Sequence, residues 1–369
     1  MRAATFCLSS ALVGVVFWAS VHLAYTQEIT RQVVIEVCGD VLPESSWQER
    51  IDPEHLFDGM KDEFARSDLV FVNLEEPITR SNRVTRYKRR AAVRAKRDYI
   101  LRARNPRIPE VLKNSGIGLV GLANNHMMDF AAVGLSDTLA GFRSAGLPTV
   151  GAGLVADAER AYIFEKGGVK VALLAFSDVI PTNYAATPNK PGVASSQDEA
   201  RLRGAIQEAR KQADFVILMI HWGAQGDHRI THRQRALARV AVEAGCDVVV
   251  GMHPHVIQGI EYFGRVPVFY SIGNFSFPSI KPAEMECFVA KLCFRPNHAA
   301  AVELVPAEIS ARGAPTVAQG KEATGILSHL DQYCRGFNTA IRDGKLVEIS
   351  PRQVPVYDKG KRARRRRSS

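Results

Sequence analysis

Cysteine is scarce in this sequence, and its spacing excludes the common zinc and redox motifs. Six cysteines occur in 369 residues, and no two of them form a Cys-x-x-Cys pair. Zinc ribbons and thioredoxin-like redox sites are therefore excluded. Cys38 and Cys246 lie in apolar segments typical of strands, so we expect them to be buried thiols. Cys287, Cys293 and Cys334 remain the candidates for any disulfide, and the sequence leaves their pairing open.

Long apolar runs are also absent, apart from one at the N-terminus. This single run, residues 6–23, excludes a multi-span membrane protein, because each span needs about 20 apolar residues. Arg2 precedes the run, and Ala24-Tyr-Thr26 offers a small-x-small cleavage site. Residues 1–27 are therefore predicted to be a signal peptide or an N-terminal anchor. We expect an exported protein, periplasmic or attached to the outer face of the cytoplasmic membrane.

Acidic residues are nearly missing from residues 79–107, where twelve Arg or Lys accompany a single Asp98. We call Arg80–Arg107 the basic belt. The whole chain carries +10, so such a local excess favours a polyanion or an anionic membrane surface as partner. The residues predicted to bind a polyanion are Arg86, Arg89, Arg90 and Arg94. The alternative is a solvated loop without a specific role.

Aromatic residues are few in the basic belt, which argues against a nucleic-acid partner. Tyr87 and Tyr99 are its only aromatic side chains, too few for the stacking platforms that single-stranded nucleic acids use. The second basic segment, within residues 357–369, has almost no apolar residue and is predicted to be a disordered tail.

Short apolar segments alternate with amphipathic ones along the rest of the chain. Strands are predicted at residues 33–37, 69–72, 117–122, 169–176, 215–220, 247–251 and 268–271. Helices are predicted at residues 133–145, 199–212 and 232–244, the last ending at Gly245. This alternation indicates an α/β fold.

Polar residues follow most of these strands at the point where each strand ends. They are Asp40, Glu75, Asn125, His126, His221, His253 and His255. Ligand sites of α/β sheets gather at that edge, and this set of nitrogen and oxygen donors suits Zn, Mn or Fe. Two such ions can clamp a phosphate and activate a water. Pro254 predicts extended backbone for His253, with both rings of His-Pro-His directed into one site.

These motifs also carry a resemblance to a known family. The segments are Gly39-Asp40, Asn73-Leu-Glu-Glu-Pro77, Leu122-Ala-Asn-Asn-His-Met-Met-Asp129, His221-Trp-Gly223, Gly251-Met-His-Pro-His255 and Tyr270-Ser-Ile-Gly-Asn-Phe275. In order and spacing they resemble the CapA family of capsule and poly-γ-glutamate biosynthesis proteins. That family is similar in fold to calcineurin-like metallophosphoesterases, which implies a four-layer α/β/β/α sandwich with a small C-terminal β-rich extension. We expect the CapA-like domain at residues 30–285 and the extension, packed on it, at residues 286–356.

The resemblance implies a role for each strand-end residue. Asp40 matches the first metal Asp, Glu75 stands at the bridging position, and His126 matches the catalytic acid. The remaining implied metal ligands are Asn125, His221, His253 and His255. Asp129, Trp222 and Asn274 are predicted either to lie behind the ligands and support them or to stand at the rim of the site. The chain departs from the phosphoesterase pattern at Leu42, where a His would stand, and at Gln225, where CapA-like chains carry an acid.

The departure at Leu42 predicts one tight metal site and one weak or empty site. The implied cofactors are one or two divalent transition metals, Mn, Zn or Fe. The implied function is that of a phosphoesterase-type hydrolase acting on a cell-surface polymer or its phosphorylated precursor, with the membrane capsule-synthesis machinery as a further partner. The alternative is a non-catalytic accessory factor that holds an anionic polymer during export.

Overall fold

The computed structural model describes residues 32–44, 52–95, 98–181 and 183–349. The predicted signal segment 1–27 and the basic tail 357–369 lie outside the described residues. Within the described part, no helix combines the length and the apolar character needed to cross a membrane. All five cysteines described there are free thiols.

The first sheet has ten strands in the described residues and contains the first three of the seven predicted strands. Its main order is β17-β18-β15-β14-β1-β2-β3-β4, with β13 paired to β1 and β16 paired to β15. The bounds are β1 Val33–Val41, β2 Leu69–Leu74, β3 Leu119–Gly121, β4 Thr149–Val150, β13 Asn274–Ser276, β14 Glu286–Phe294, β15 Ala301–Ile309, β16 Pro315–Val317, β17 Thr339–Arg342 and β18 Lys345–Glu348. Strands β1 to β4 are mutually parallel, so their carboxyl ends share one edge.

The second sheet is built around parallel strands in the order β11-β12-β10-β9-β7-β6. Its bounds are β6 Tyr162–Lys166, β7 Val169–Ser177, β9 Phe215–His221, β10 Val248–Met252, β11 Ile260–Phe263 and β12 Val266–Phe269; the short strands β5 Ala152–Gly153 and β8 Gly192–Val193 pair separately. Strands β7, β9, β10 and β12 are parallel neighbours, so their carboxyl ends also meet at one edge.

Helices cover both sheets. Their bounds are α1 Lys61–Phe64, α2 Arg90–Arg94, α3 Ile108–Asn114, α4 Ala131–Ala145, α5 Val155–Ala158, α6 Glu199–Gln212, α7 His232–Ala244, α8 Pro282–Met285 and α9 Gly320–Cys334. Helix α7 begins with a capping box between Thr231 and Gln234. It ends at Gly245, whose φ of 114° is a backbone conformation that glycine adopts without strain because it has no side chain. The three predicted helices are therefore present, with α6 and α7 at the predicted bounds.

Alternating side chains on the strands divide the interior into two cores. Ile217 and Met219 of β9 face the first sheet and pack in one core with Phe71 and Leu119. The intervening residues Val216, Leu218 and Ile220 face the other way and pack with α6 and α7, through Leu202, Ile206, Leu237 and Ala241. On the first sheet, α1, α3 and α4 bury Phe64, Leu112, Leu135 and Phe142. The four-layer α/β/β/α sandwich predicted from the sequence is confirmed.

The C-terminal segment is rich in strands, as expected, but it is integral to the first sheet. Strand β14 pairs antiparallel with β1 over Val33–Val37, and β15 continues the sheet beyond it. Glu286, where we expected the extension to begin, is the first residue of β14, a strand in the middle of that sheet. The strand pairing joins this segment to the main domain, because β14 forms hydrogen bonds with β1 along the edge of β1 opposite to β2.

Candidate metal centre

The first sheet supplies two carboxylates at the carboxyl ends of β1 and β2. Asp40 is fully buried, and Gly39 before it lies so close to Gly273 that a Cβ would stand 2.0 Å from the Gly273 carbonyl oxygen. Asn73 Nδ2 donates to Asp40 Oδ1 at 2.7 Å. The backbone N–H of Glu75 donates to the Val41 carbonyl at 2.9 Å, so pairing within the sheet places the second carboxylate beside the first.

The second sheet supplies three histidines. His221 is the last residue of β9, and His253 and His255 follow β10. The prediction of extended backbone at His253 was wrong, because its φ is 92°, and that of His255 is 58°. This left-handed geometry turns the loop back over the strand ends, where the His253 N–H donates to Asp40 Oδ2 at 3.1 Å.

Glu75, Asn125, His221 and His253 converge on one point. His221 Nε2 lies 2.8 Å from Asn125 Oδ1, 3.0 Å from His253 Nδ1 and 3.2 Å from Glu75 Oε1. Tetrahedral ligands about 2.1 Å from a Zn²⁺-sized ion are about 3.4 Å apart, close to these separations. All these side chains are buried except that of Asn125, which is half-buried.

Asp40, Glu75 and His255 form a second, looser set. His255 Nδ1 lies 3.6 Å from Asp40 Oδ2, and His255 Nε2 lies 3.8 Å from Glu75 Oε2. Asn274 Oδ1 lies 2.7 Å from His255 Nδ1, so a proton held on Nδ1 leaves Nε2 as the atom that faces Glu75, the usual arrangement behind a metal-binding His. Within each set the ligand atoms of the histidines and carboxylates lie within 4.8 Å of one another.

The charges of these groups are strongly coupled. Burial and the Glu75 carboxylate raise the pKa of Asp40 to about 6. Burial also opposes ionisation of Glu75, but His255 and His221 outweigh it and hold the pKa of Glu75 below its usual range. Burial and His221 lower the pKa of His253, whereas Glu75 and Asp40 outweigh burial and raise the pKa of His255. A neutral His253 is in the protonation state that ligates metals.

The donor set fits a divalent transition metal. Within the described part of the chain, both carboxylate oxygens of Glu75 and Nδ1 of His221 are buried without a hydrogen-bond partner, although buried polar groups are nearly always paired. Glu75 belongs to both ligand sets and thus stands where a bridging ligand would. Imidazole nitrogens and carboxylate oxygens are the donors that Zn, Mn and Fe accept.

His126 sits beside this cluster in a buried polar network. Its Nδ1 lies 2.8 Å from Asp129 Oδ2 and 3.0 Å from Lys88 Nζ. Asp129 is fully buried and also contacts Lys88 Nζ at 2.7 Å, the N–H of Leu101 at 2.8 Å and the hydroxyl of Tyr184 at 3.2 Å. Burial and Lys88 lower the pKa of His126, against the opposing effect of Asp129.

The three residues predicted to support the ligands or to stand at the rim occupy different places. Asp129 and Asn274 contact His126 and His255 directly. Trp222 does not lie at the rim: its indole packs in the outer core against Tyr270 and donates to the Tyr270 carbonyl at 2.8 Å. The reason is strand alternation, which sends neighbours His221 and Trp222 to opposite faces.

Sequence reasoning missed three residues that support the site. Lys88 was counted only as one of the cations of the basic belt, and its side chain is 2% exposed. Asn124 donates to Asn73 Oδ1 at 3.2 Å and to the Leu74 carbonyl at 2.7 Å, and Asn73 in turn holds Asp40. The motifs Asn73-Leu-Glu75 and Asn124-Asn-His126 contain both asparagines, so their positions next to site residues were the available signal.

The basic belt lies next to this network. The N–H of Thr85 donates to the Asp129 carbonyl at 2.8 Å, and Lys88 inserts between His126 and Asp129. The four arginines predicted to bind a polyanion are all exposed: Arg86, Arg89, Arg90 and Arg94. Residues 96 and 97 of the belt lie outside the described residues.

Two facing sheets that bring three histidines and two carboxylates to one buried point define an α/β sandwich with a candidate metal centre at its strand ends. A family model described as "Bacterial capsule synthesis protein PGA_cap" matches residues 34–279. The chain belongs to this family, which confirms the resemblance found in its motifs.

Curated relatives agree with this assignment. The PGA biosynthesis protein CapA of Bacillus subtilis is 32% identical over 302 residues, which cover 81% of this chain and 77% of the relative. The capsule biosynthesis protein CapA of Bacillus anthracis is 28% identical over 366 residues, covering 95% of this chain and 87% of the relative. A Mycobacterium tuberculosis protein described as "Probable polyglutamine synthesis accessory protein" is 30% identical over 164 residues, 42% of this chain and 43% of the relative.

Solved structures show a more distant likeness. The NAD nucleotidase of Haemophilus influenzae aligns with a TM-score of 0.43 and 13% identity, over 82% of this chain and 56% of the nucleotidase. The sulfate thiohydrolase SoxB of Thermus thermophilus aligns with a TM-score of 0.41 and 13% identity, over 75% of this chain and 45% of SoxB. The chain thus spans about half the length of each.

Proposed function

We propose that the cluster binds one or two divalent transition metals (Mn, Zn or Fe). We further propose that the protein is a metal-dependent, phosphoesterase-like hydrolase in capsule or poly-γ-glutamate synthesis. Its substrate is an anionic cell-surface polymer or the phosphorylated precursor of one. The observation that carries this proposal is Glu75, a buried carboxylate whose two oxygens have no hydrogen-bond partner among the described residues and face His221 and His255.

Two groups of residues would hold the two ions. Glu75, Asn125, His221 and His253 would hold the tighter ion, and Asp40, Glu75 and His255 the weaker one. A bound divalent ion would polarise a phosphoryl oxygen and lower the pKa of a water.

His126 would hold or release a proton beside the substrate. Asp129 orients the ring through Nδ1 at 2.8 Å, so Nε2 is the atom left to serve the reaction. The exposed arginines of the basic belt would concentrate the anionic substrate near His126. They lie on the same segment as Lys88, whose ammonium contacts His126.

A second candidate function is that of a non-catalytic accessory factor that holds an anionic polymer during export. Leu42 favours it, because this buried aliphatic residue stands where the phosphoesterase pattern has a His. Leu42 is held in place by its N–H, which donates to the Ser276 carbonyl at 2.7 Å. In either function we propose an exported protein, periplasmic or attached to the outer face of the cytoplasmic membrane, that works with the membrane synthesis machinery and binds no nucleic acid.

Metal content and turnover test the first proposal. Purified protein should contain about one transition metal per chain, and the double variant His221→Ala/His253→Ala should lose it. The matched control, His232→Ala/His329→Ala, removes two histidines outside the cluster and should keep the metal. Unchanged metal content in the cluster variant would refute the site.

A screen of phosphomonoesters and phosphodiesters separates the two functions. Hydrolysis that disappears in the cluster variant and persists in the control supports the enzyme. Metal binding without turnover, combined with polymer binding, supports the accessory factor.

A further inference from the structure

Two clefts flank the segment Arg83–Lys88 of the basic belt. The inner cleft, of about 290 Å³, is lined among others by Arg83, Arg86, Tyr87, Met128, Tyr184 and Lys190. The outer cleft, of about 400 Å³, is lined among others by Val84, Arg86, Arg90, Val93, Arg94 and Ile100. Arg86 lines both, so the clefts adjoin across one stretch of chain. Their sizes suit short segments of a ligand, since small-molecule sites hold about 300–1,000 Å³.

The charged side chains that line the two clefts are, in the part of the chain that the structure describes, all basic, and of these Lys88 is paired with Asp98 and Asp129. Among the described residues, no ion pair joins Arg83, Arg86 or Lys190 to a carboxylate, whereas Arg233 and Arg235 on α7 pair with Asp178 and Glu261. A row of cations without partner carboxylates attracts anions more strongly than paired surface cations do.

The inner cleft also has an aromatic and apolar floor. The Arg86 guanidinium lies 5.4 Å and Lys190 Nζ 5.5 Å from the centre of the Tyr87 ring, so the ring holds two cations near one point. Met128, Ala131 and Ala132 complete the floor. The combination suits an anionic group on a short aliphatic stem, because the stem has apolar surface to cover and the anion has cations at the edge.

The back wall of the inner cleft leads to the candidate catalytic His. Tyr184 packs edge-on against Tyr87, with ring centres 6.5 Å apart, and its hydroxyl donates to Asp129 at 3.2 Å. Asp129 contacts His126. A unit held in the inner cleft is therefore linked to His126 through two side chains, Tyr184 and Asp129.

We propose that the inner cleft is a binding subsite for a carboxylate-bearing unit of a flexible anionic chain, held between Arg83 and Lys190, while the outer cleft holds a neighbouring unit. This inference rests on the proposed polymer substrate and adds the residues that select it. Lys190 lies far from the basic belt in sequence and joins it only through the fold. A carboxylate on an aliphatic stem fits the floor better than polyphosphate, which has no apolar stem.

Charge-reversal variants test the inner cleft against the outer one. Arg83→Glu/Lys190→Glu alters the inner cleft, Arg90→Glu/Arg94→Glu the outer cleft, and Arg239→Glu/Arg265→Glu two exposed arginines of the second-sheet side as a control of equal charge. Binding of a fluorescent ten-residue glutamate oligomer is measured by anisotropy at low salt. We expect the inner and outer variants each to bind about tenfold more weakly than the control.

Each outcome decides between the claims. An inner variant that binds like the control, beside a weakened outer variant, overturns the inner subsite and leaves the proposed function standing. Parent-like binding by both cleft variants overturns the polymer-binding role of the whole belt. Lysine acetylation gives a second measurement: the oligomer should protect Lys190 and leave the exposed Lys113 reactive. Stronger competition by polyphosphate of equal charge than by the glutamate oligomer contradicts the choice of a carboxylate ligand.

Discussion

Replacement of Lys88 by methionine should weaken the fold at the candidate site more than any surface charge change in the basic belt. Lys88 is 2% exposed, and Asp129 beside it is fully buried. The ammonium contacts Asp129 Oδ1 at 2.7 Å, the Tyr99 carbonyl at 2.8 Å and His126 Nδ1 at 3.0 Å. Methionine keeps most of the length of the side chain and removes the charge with all three donors.

The expected loss of unfolding free energy depends on the hydrogen-bond donors that Asp129 retains in the variant. Removal of one partner of a buried ion pair costs about 3–5 kcal/mol, because the other charge stays buried. Asp129 retains the Leu101 N–H at 2.8 Å, the Tyr184 hydroxyl at 3.2 Å and His126 Nδ1 at 2.8 Å. These donors place the loss at the lower end, about 3 kcal/mol. In a domain of this size, whose entropy of unfolding is about 0.65 kcal/mol/K, that lowers the Tm by about 5 °C.

Urea unfolding of four proteins measures the effect: the parent, Lys88→Met, Asp129→Asn and the double variant. The double variant should recover most of the loss, since the remaining amide carries no charge. An exposed control, Arg90→Met, should change the free energy of unfolding by less than about 0.5 kcal/mol. A free energy of unfolding for Lys88→Met within about 1 kcal/mol of the parent would refute the reasoning, because the pair would then contribute like an exposed one.

Three further changes probe other parts of the molecule. Leu42→His should raise the metal content toward two ions per chain, and unchanged content in a folded variant would mean that position 42 does not face the weaker set. Burial raises the pKa of Glu36 to about 8 despite Lys291, so the folded protein favours the protonated carboxyl. The stability that this preference contributes is complete below about pH 4.5 and is lost as the pH rises through about 8. Glu36→Gln should therefore be more stable than the parent at about pH 9, and equal pH slopes of the two unfolding free energies would contradict this. Gly39→Ala should cost about 1–3 kcal/mol and lower metal occupancy, because its Cβ would stand 2.0 Å from the Gly273 carbonyl; parent-like metal content and stability would count against it.

The strands and the residues at their ends could be predicted because both follow from local patterns. Apolar segments of strand length predicted β1, β2, β9 and β10, and parallel pairing then brings their polar end residues to one edge. The structure places Asp40, Glu75, His221, His253 and His255 within reach of one another. Which side chains stand at that edge thus depends on where each strand ends, and local sequence indicates strand ends well.

Contacts between distant segments could not be predicted in the same way. Lys88 appeared to be one more solvated cation, since nothing in its neighbourhood reveals that Asp129, 41 positions on, offers a buried carboxylate. The pairing of β14 with β1 joins segments about 250 residues apart, and no local pattern encodes that partner. The position of Trp222 in the outer core has a simpler reason: the face of a strand changes at every residue, so the neighbour of His221 belongs to the other core.

The backbone of His253 and His255 bears on what the site is for. Both residues have left-handed φ values, 92° and 58°, a geometry that glycine adopts freely and that costs an L-residue on the order of 1–3 kcal/mol in strained cases. The surrounding structure holds it in place, through the His253 N–H on Asp40 and through Asn274 on His255. A loop that only had to turn would be more stable with glycine at both positions. Two imidazoles held in this costly geometry and oriented toward Glu75 and His221 support the proposed metal centre.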